Sequence, residues 1–240
     1  MHNSTLFNNL IKTESEVLDL IKKWHSSQNN CLITYINQHC YNLYSKDKDY
    51  KNLVDNYFKT YIDGIGIFLA AKLLGYNVRK RFNASDLNER IIQVLIQNNS
   101  RVYIIGGNFS AYLIDDLKNR GIKVVGYQKG FYNNAELKNL IPNISSLNAD
   151  SIIIGMGVPK QEHMAVEISK ELRGKLIICV GNFLEFYSGT IKRIPQMFRN
   201  LGVEWIFRLI VEPKRLWKRY MIGIPVFFFL ILKECLSRGK

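Results

Sequence analysis

Short apolar runs alternate with amphipathic stretches along most of the chain. Cys31–Ile36, Arg101–Ile105, Lys123–Gly126, Ser151–Ile154 and Lys175–Val180 read as β-strands, because each is a brief run rich in Ile, Val and Leu. Between them, Asp86–Ile96 places Leu87, Ile91, Val94 and Leu95 on one helical stripe. Asn108–Arg120 and Gln161–Arg173 read the same way, the latter with Met164, Ile168 and Leu172 at helical spacing. Near-continuous apolar strands separated by helices predict an α/β fold, a mostly parallel sheet with helices on both faces. Ligands of such sheets bind beyond the carboxyl ends of the strands. Asn37, Gly106, Gly107, Gly126, the stretch Gly155 to Gln161, and Gly181 all follow a predicted strand.

The last fifth of the chain has a different pattern. Met221–Leu232 is the most apolar run, and as a helix its twelve residues span about 18 Å. That is short of the roughly 30 Å of a bilayer's hydrocarbon core. From Thr190 to Lys240 there are 11 basic and 3 acidic residues, a net of +8, which leaves +5 of the chain's +13 for the other 189 residues. A basic segment followed by a short aromatic-rich one predicts an appendage, residues 196–240, lying on an anionic membrane surface, beside a catalytic domain of residues 1–195. A buried C-terminal helix is the alternative. The N-terminus lacks a basic region followed by an apolar one, so no secretory signal is read there. The four scattered cysteines contain no CxxC pair and read as reduced thiols.

Several segments carry candidate chemistry. Gly155-Met-Gly-Val-Pro-Lys-Gln-Glu162 follows a strand and opens a helix. Gly155 and Gly157 allow close backbone approach, Pro159 suits a first helical turn, and free N–H groups with Lys160 and Gln161 can face an anion. Neither the P-loop ending nor GxGxxG is present. Asp63-Gly-Ile-Gly66 offers one carboxylate before an apolar helix over Ile67–Leu74, where it is either exposed at a pocket edge or a helix cap. Asp47-Lys-Asp49 matches a metal-diphosphate pattern but lies in a charged polar stretch that reads as a solvated loop. Asp115 and Asp116 read as an exposed helix face. Arg208, Arg215, Lys218 and Arg219 form a cationic group next to the apolar run, with guanidiniums suited to bidentate phosphate contacts. No nucleic-acid module is recognisable. The four histidines lack metal-ligand spacing, so no metal is expected.

Taken in order, these segments resemble the WecG/TagA/CpsF family of bacterial glycosyltransferases. The resemblance runs from about Cys31 to Tyr220. It rests on Thr34-Tyr-Ile-Asn37, Asp63 to Gly66, Arg81-Phe-Asn-Ala-Ser-Asp-Leu87, Ile105 to Gly107, Gly126 to Tyr132, Gly155 to Glu162, Val180 to Gly189, Arg193-Ile-Pro195, Gly202 to Arg208 and Glu212 to Arg215. It implies a Rossmann-like fold and an inverting, metal-independent transfer without a cofactor. The donor would be a UDP-sugar and the acceptor a polyprenyl-diphosphate-linked sugar, at the cytoplasmic face of the cell membrane, in cell-surface polysaccharide synthesis.

The same resemblance implies Asp63 as general base, with Thr34, Asn37 and Gln161 in the pocket. Arg81, Asn83, Asp86, Gly106, Gly107, Gly126, Gly155, Gly157, Pro159, Lys160, Glu162, Gly181, Glu185 and Arg193 would bind substrate. Arg208, Arg215, Lys218 and Arg219 would meet diphosphate or lipid. It also allows a homo-oligomer. The chain departs from the family pattern at Ala84, Asn182 and Glu185, and Lys218 with Arg219 share the place of one Arg, which bears on sugar specificity rather than reaction class. Two other readings remain: a nicotinamide-dependent oxidoreductase or UDP-sugar epimerase, which would need the missing GxGxxG, and a membrane-surface scaffold without activity, which leaves the Gly, Asp and Gln loops unexplained.

Overall fold

The computed structural model describes residues 6–7, 10–78, 81, 83–107, 111–130, 134–189, 198–199, 202 and 204–238. The strands are β1 (Leu10–Ile11), β2 (Cys31–Ile36), β3 (Phe58–Ile62), β4 (Val102–Gly106), β5 (Val124–Gln128), β6 (Ser151–Gly155) and β7 (Leu176–Cys179). Among the described residues they form one sheet in the order β1-β3-β2-β7-β6-β4-β5, and every pairing is parallel. The helices are α1 (Glu14–His25), α2 (Gln38–Lys46), α3 (Lys48–Tyr57), α4 (Ile65–Leu73), α5 (Ala84–Gln97), α6 (Ala111–Asn119), α7 (Asn134–Ser146), α8 (Lys160–Glu171), α9 (Phe183–Tyr187), α10 (Glu204–Val211), α11 (Pro213–Trp217) and α12 (Gly223–Arg238). A π-helical turn, Lys218–Ile222, joins the last two.

Alternate residues of the central strands point to opposite faces, as the pleat requires. Ile33, Ile104, Ile153 and Ile178 meet α1, α5, α6 and α9 on one side through Ile21, Leu87, Ile91, Leu117 and Leu184. Leu32, Tyr103, Ile105, Ile152 and Ile177 meet α7 and α8 on the other through Leu140, Ile144, Met164 and Ile168. Both faces are therefore covered, as the apolar strands predicted. A third cluster joins Ile36 and Ile62 to α2, α3, α4 and α12.

β3 was not read from the sequence, because Lys59 and Thr60 interrupt its apolar run and α3 leads straight into it. Asp47 lies in no solvated loop: it closes α2 and caps α3, accepting the N–H groups of Asp49 and Tyr50 at 2.9 and 3.0 Å. The cysteines are free, Cys40 and Cys179 buried and Cys31 and Cys235 half-buried.

The C-terminal segment is longer than the apolar run suggested. A helix of 25 residues extends over Pro213–Ser237, by length and composition enough to cross a membrane. The twelve apolar residues are only its middle, since Pro213 starts the helix well before them. Leu216, Tyr220, Phe227, Ile231 and Glu234 recur on one buried stripe. That stripe docks on α2, where the Tyr41 hydroxyl donates to Glu234 at 2.7 Å and the Asn42 amide to the Gly223 carbonyl at 2.7 Å. Phe228, Phe229, Leu232 and Leu236 stay exposed.

Candidate functional site

β4 leads outward to β5, whereas its neighbour β6 leads back to β7, so the chain reverses direction between adjacent strands. A crevice forms at the carboxyl ends of such a pair. Gly106 and Gly155 are register partners there. A Cβ on Gly106, whose φ is +129°, would lie 2.5 Å from the Gly155 carbonyl carbon, and one on Gly155 would lie 2.6 Å from the Gly181 carbonyl oxygen. Only glycine permits this approach. Gly107, Gly157, Pro159 and Lys160 border the same crevice ends, with Pro159 capping α8. Gly126 does not. β5 continues to Gln128, and Gly126 lies within it, where a Cβ would strike the Tyr103 ring at 2.6 Å. It is a packing position.

Beside this crevice, a cavity of about 270 Å³ opens beyond β2 and β3. Asn37, Asp63, Gly64, Arg81 and Asn83 contribute from the sheet side, Val180 and Asn182 from the end of β7, and Arg199, Glu204, Arg208, Arg219, Tyr220 and Phe228 from the C-terminal part. Cavity and glycine crevice meet at Val180-Gly181-Asn182. Among the described residues, four guanidiniums and two carboxylates line the wall. Nε atoms of Arg199, Arg208 and Arg219 are buried and have no hydrogen-bond partner among the described residues. Several guanidiniums in one wall give it a positive field suited to an anion, although Arg199 and Arg208 already pair with Asp86 and Glu204.

Asp63 follows β3, and its N–H donates to the Ile36 carbonyl at 2.8 Å. Gly64, at φ +85°, turns the chain into α4 and leaves the carboxylate facing the cavity. Asp63 does not cap α4. It accepts the Ala84 N–H at 3.1 Å, at the start of α5, whose next N–H groups are held by Asn83. Burial raises its pKa above 3.8, opposed by the Ala84 N–H, and the nearby Glu204 raises it further while Arg208 and Asn37 lower it. Glu204 itself accepts from Asn83 Nδ2 at 2.9 Å and from Arg208 at 2.9 Å. It links the appendage to the start of α5. Arg199 adds an ion pair to Asp86, and Arg81 donates to the Arg199 carbonyl.

Thr34, Gln161 and Glu162 are fully buried between β2 and α8 and do not line the cavity. Thr34 Oγ1 and Gln161 Nε2 donate to Glu162 Oε1 at 2.7 and 2.8 Å, and Gln161 Oε1 accepts the Gly181 N–H at 3.0 Å. This network fixes the backbone where crevice and cavity meet. Burial raises the Glu162 pKa, and its Oε2 has no partner among the described residues. Glu162→Ala should cost about 3 kcal/mol, since two buried donors lose their acceptor. Glu162→Gln keeps Oε1 and should cost under about 1 kcal/mol, with denaturant midpoints as the measurement. Because folding raises this pKa, wild type gains on the Gln variant at low pH. The gain is lost as pH rises through the folded value.

Two predicted cations lie elsewhere. Arg215 is exposed and paired with Glu212, and Lys218 is exposed. The helix turns Arg219 toward the docked Leu216–Tyr220 stripe and leaves Arg215 further round. Glu185 is half-buried on α9 and outside the cavity, its pKa raised by burial and then by Glu212. Arg193 and the expected domain boundary at residue 195 lie outside the described residues. Arg199 and Glu204 were missed as site residues. Glu204 lies inside the Gly202–Arg208 segment, but only folding shows that it faces Asp63. Among the described residues no group of three or more His, Cys, Asp or Glu stands together.

Fold and site together define an α/β protein with a glycine-lined crevice at the sheet's switch point and a basic cavity closed by a C-terminal appendage. The chain belongs to the glycosyl transferase WecG/TagA/CpsF family, whose model matches residues 5–240. It is similar to an N-acetylglucosaminyldiphosphoundecaprenol N-acetyl-beta-D-mannosaminyltransferase of Staphylococcus aureus (strain MRSA252), 26% identical over 92% of this chain and 88% of that protein. A protein of the same description from Bacillus subtilis (strain 168) is 25% identical over 90% of this chain and 85% of its own length.

Proposed function

We propose that this glycosyltransferase moves a sugar from a UDP-sugar onto a polyprenyl-diphosphate-linked sugar, with inversion and without a metal or cofactor, as a step in cell-surface polysaccharide synthesis. The observation that carries this reading is the carboxylate of Asp63 facing a cavity walled by Arg81, Arg199, Arg208 and Arg219. The relatives' names describe a diphosphoundecaprenol acceptor. At about 270 Å³ the cavity holds roughly one sugar with its phosphates. The donor nucleotide then takes the adjoining glycine crevice, where backbone N–H groups at the start of α8 can face its diphosphate.

In this mechanism Asp63 accepts the proton of the acceptor hydroxyl while that oxygen attacks the anomeric carbon from the face opposite UDP. A single displacement inverts the configuration. Negative charge grows on the β-phosphate of the leaving UDP, and the crevice N–H groups with Arg208 and Arg219 stabilise it. The appendage limits the entry of water and so the hydrolysis of donor. Phe228, Phe229, Leu232 and Leu236 on α12 and Ile206, Ile210 and Val211 on α10 are exposed apolar groups beside Lys214, Arg215, Lys218 and Lys233. This combination supports attachment at the inner face of the cell membrane.

The test is transfer, with EDTA present, from a panel of UDP-sugars to a short-chain polyprenyl-diphosphate-GlcNAc. Product from one donor supports the reading. Activity that disappears with EDTA and returns with Mn²⁺ refutes metal independence, and failure to bind UDP refutes the donor assignment. Glu204→Gln gives a further check. It removes a negative charge that raises the Asp63 pKa and frees Arg208, which lowers it. The acidic limb of the kcat/KM profile should therefore move to lower pH.

A further inference from the structure

α4 is apolar on sides that a helix of a parallel α/β fold normally turns to water. Ile65, Leu69 and Leu73, spaced one turn apart, are 37%, 53% and 67% exposed. Ile65 and Leu69 also line the cavity that holds Asp63. Facing them is α12. A Cβ on Gly66 would lie 3.6 Å from the Phe227 ring, so the two helices meet at that point. Ile224 and Phe228 line the cavity from the α12 side, and Phe228 is 60% exposed. The cavity mouth thus has an apolar lip on each helix, while the guanidiniums of Arg208 and Arg219 lie in the wall behind.

We infer that the phosphate-proximal isoprene units of a polyprenyl-diphosphate acceptor lie in a protein subsite between Leu69 of α4 and Phe228 of α12. The inference rests on the acceptor class proposed above. Its support is the order of chemistry along the cavity: a carboxylate for the sugar hydroxyl, four guanidiniums that can meet the acceptor diphosphate beside the leaving UDP, then an apolar exit continuous with both. An isoprenoid diphosphate carries the same groups in the same order. A solvated sugar phosphate would leave the lips without a partner.

The subsite is tested with water-soluble acceptors, GlcNAc-diphosphate esters of methyl, geranyl and farnesyl alcohol, at concentrations below micelle formation and without vesicles. In wild type, kcat/KM for the farnesyl ester should exceed that for the methyl ester about tenfold, as expected from burying about 60 Å² of apolar surface. In Leu69→Asn and in Phe228→Asn that ratio should fall to near one, and Leu69→Met should restore it. Because the readout is a ratio within one preparation, partial unfolding does not move it. A wild-type ratio near one, with chain preference appearing only on addition of vesicles, would overturn the subsite and make the lips a bilayer contact. A ratio kept in both Asn variants would overturn it too. So would a concentration-dependent dimer of wild type that Leu69→Asn abolishes, since a second copy would then cover the face. No transfer to any ester, the methyl one included, would overturn the acceptor reading and the subsite with it.

Discussion

Asp63→Asn should lower kcat by about three orders of magnitude, within the usual contribution of a positioned general base. Asparagine keeps the size of the side chain and an oxygen to accept the Ala84 N–H, so the start of α5 keeps its partner. What it loses is the capacity to take a proton. The fold should not suffer. Burial raises the Asp63 pKa above 3.8, so ionising it costs more in the folded state than in the unfolded one. The cost of ionising it is absent below the unfolded value and complete above the folded one. The variant should therefore gain stability on wild type as pH rises through that window, measured as a Tm difference at pH 4 and pH 8. Loss of turnover with equal or higher Tm separates a base from a structural support. Near-normal turnover would remove Asp63 from the mechanism.

Such a trade between stability and chemistry was only partly legible in the sequence. The α/β class was readable because β2, β6 and β7 are continuous apolar runs that must be covered on both faces. The glycines of the crevice were readable for a similar reason, since Gly155 and Gly157 sit between a strand and a helix. Asp63 stood out because glycines flank it and because the family resemblance implies a base there. The other half of the cavity was not legible. Glu204 and Arg208 reach Asp63 across more than 140 residues of chain, and nothing in their own neighbourhood announces that contact. The family resemblance implied Thr34, Gln161 and Glu162 as pocket residues, and nothing local in the sequence shows that they are enclosed. Folding seals them instead into one buried network, whose donors and acceptors satisfy each other. Helical phase separates the cations from one another. Arg215 and Arg219 seemed equivalent at a spacing of four, but only Arg219 borders the stripe that docks on α2.

That difference in phase sets the second large effect. Arg208→Gln and Arg219→Gln should each lower kcat about 100-fold, the usual loss when one fixed donor to a developing charge is removed. Each side chain lies in the cavity wall with its Nε buried, so the guanidinium is partly desolvated before substrate arrives. Desolvation strengthens the attraction to phosphate and removes most of the reorganisation that a surface cation would need. Lysine at either place should restore only part of the loss, because a point charge does not reproduce a planar fork of donors. Arg215→Gln and Lys218→Gln supply the contrast. Both residues are exposed, and Arg215 is already paired with Glu212. Their loss should leave kcat on a soluble acceptor within about threefold of wild type and weaken binding to anionic vesicles, about 1 kcal/mol for each charge near the surface. The vesicle effect should fade as salt is raised, whereas the deficit of the Arg208 and Arg219 variants should persist, because salt screens exposed charges far more than buried ones. If all four variants instead lost turnover equally and salt abolished the difference, the cations would act as one diffuse surface field, and no diphosphate site would exist in the cavity.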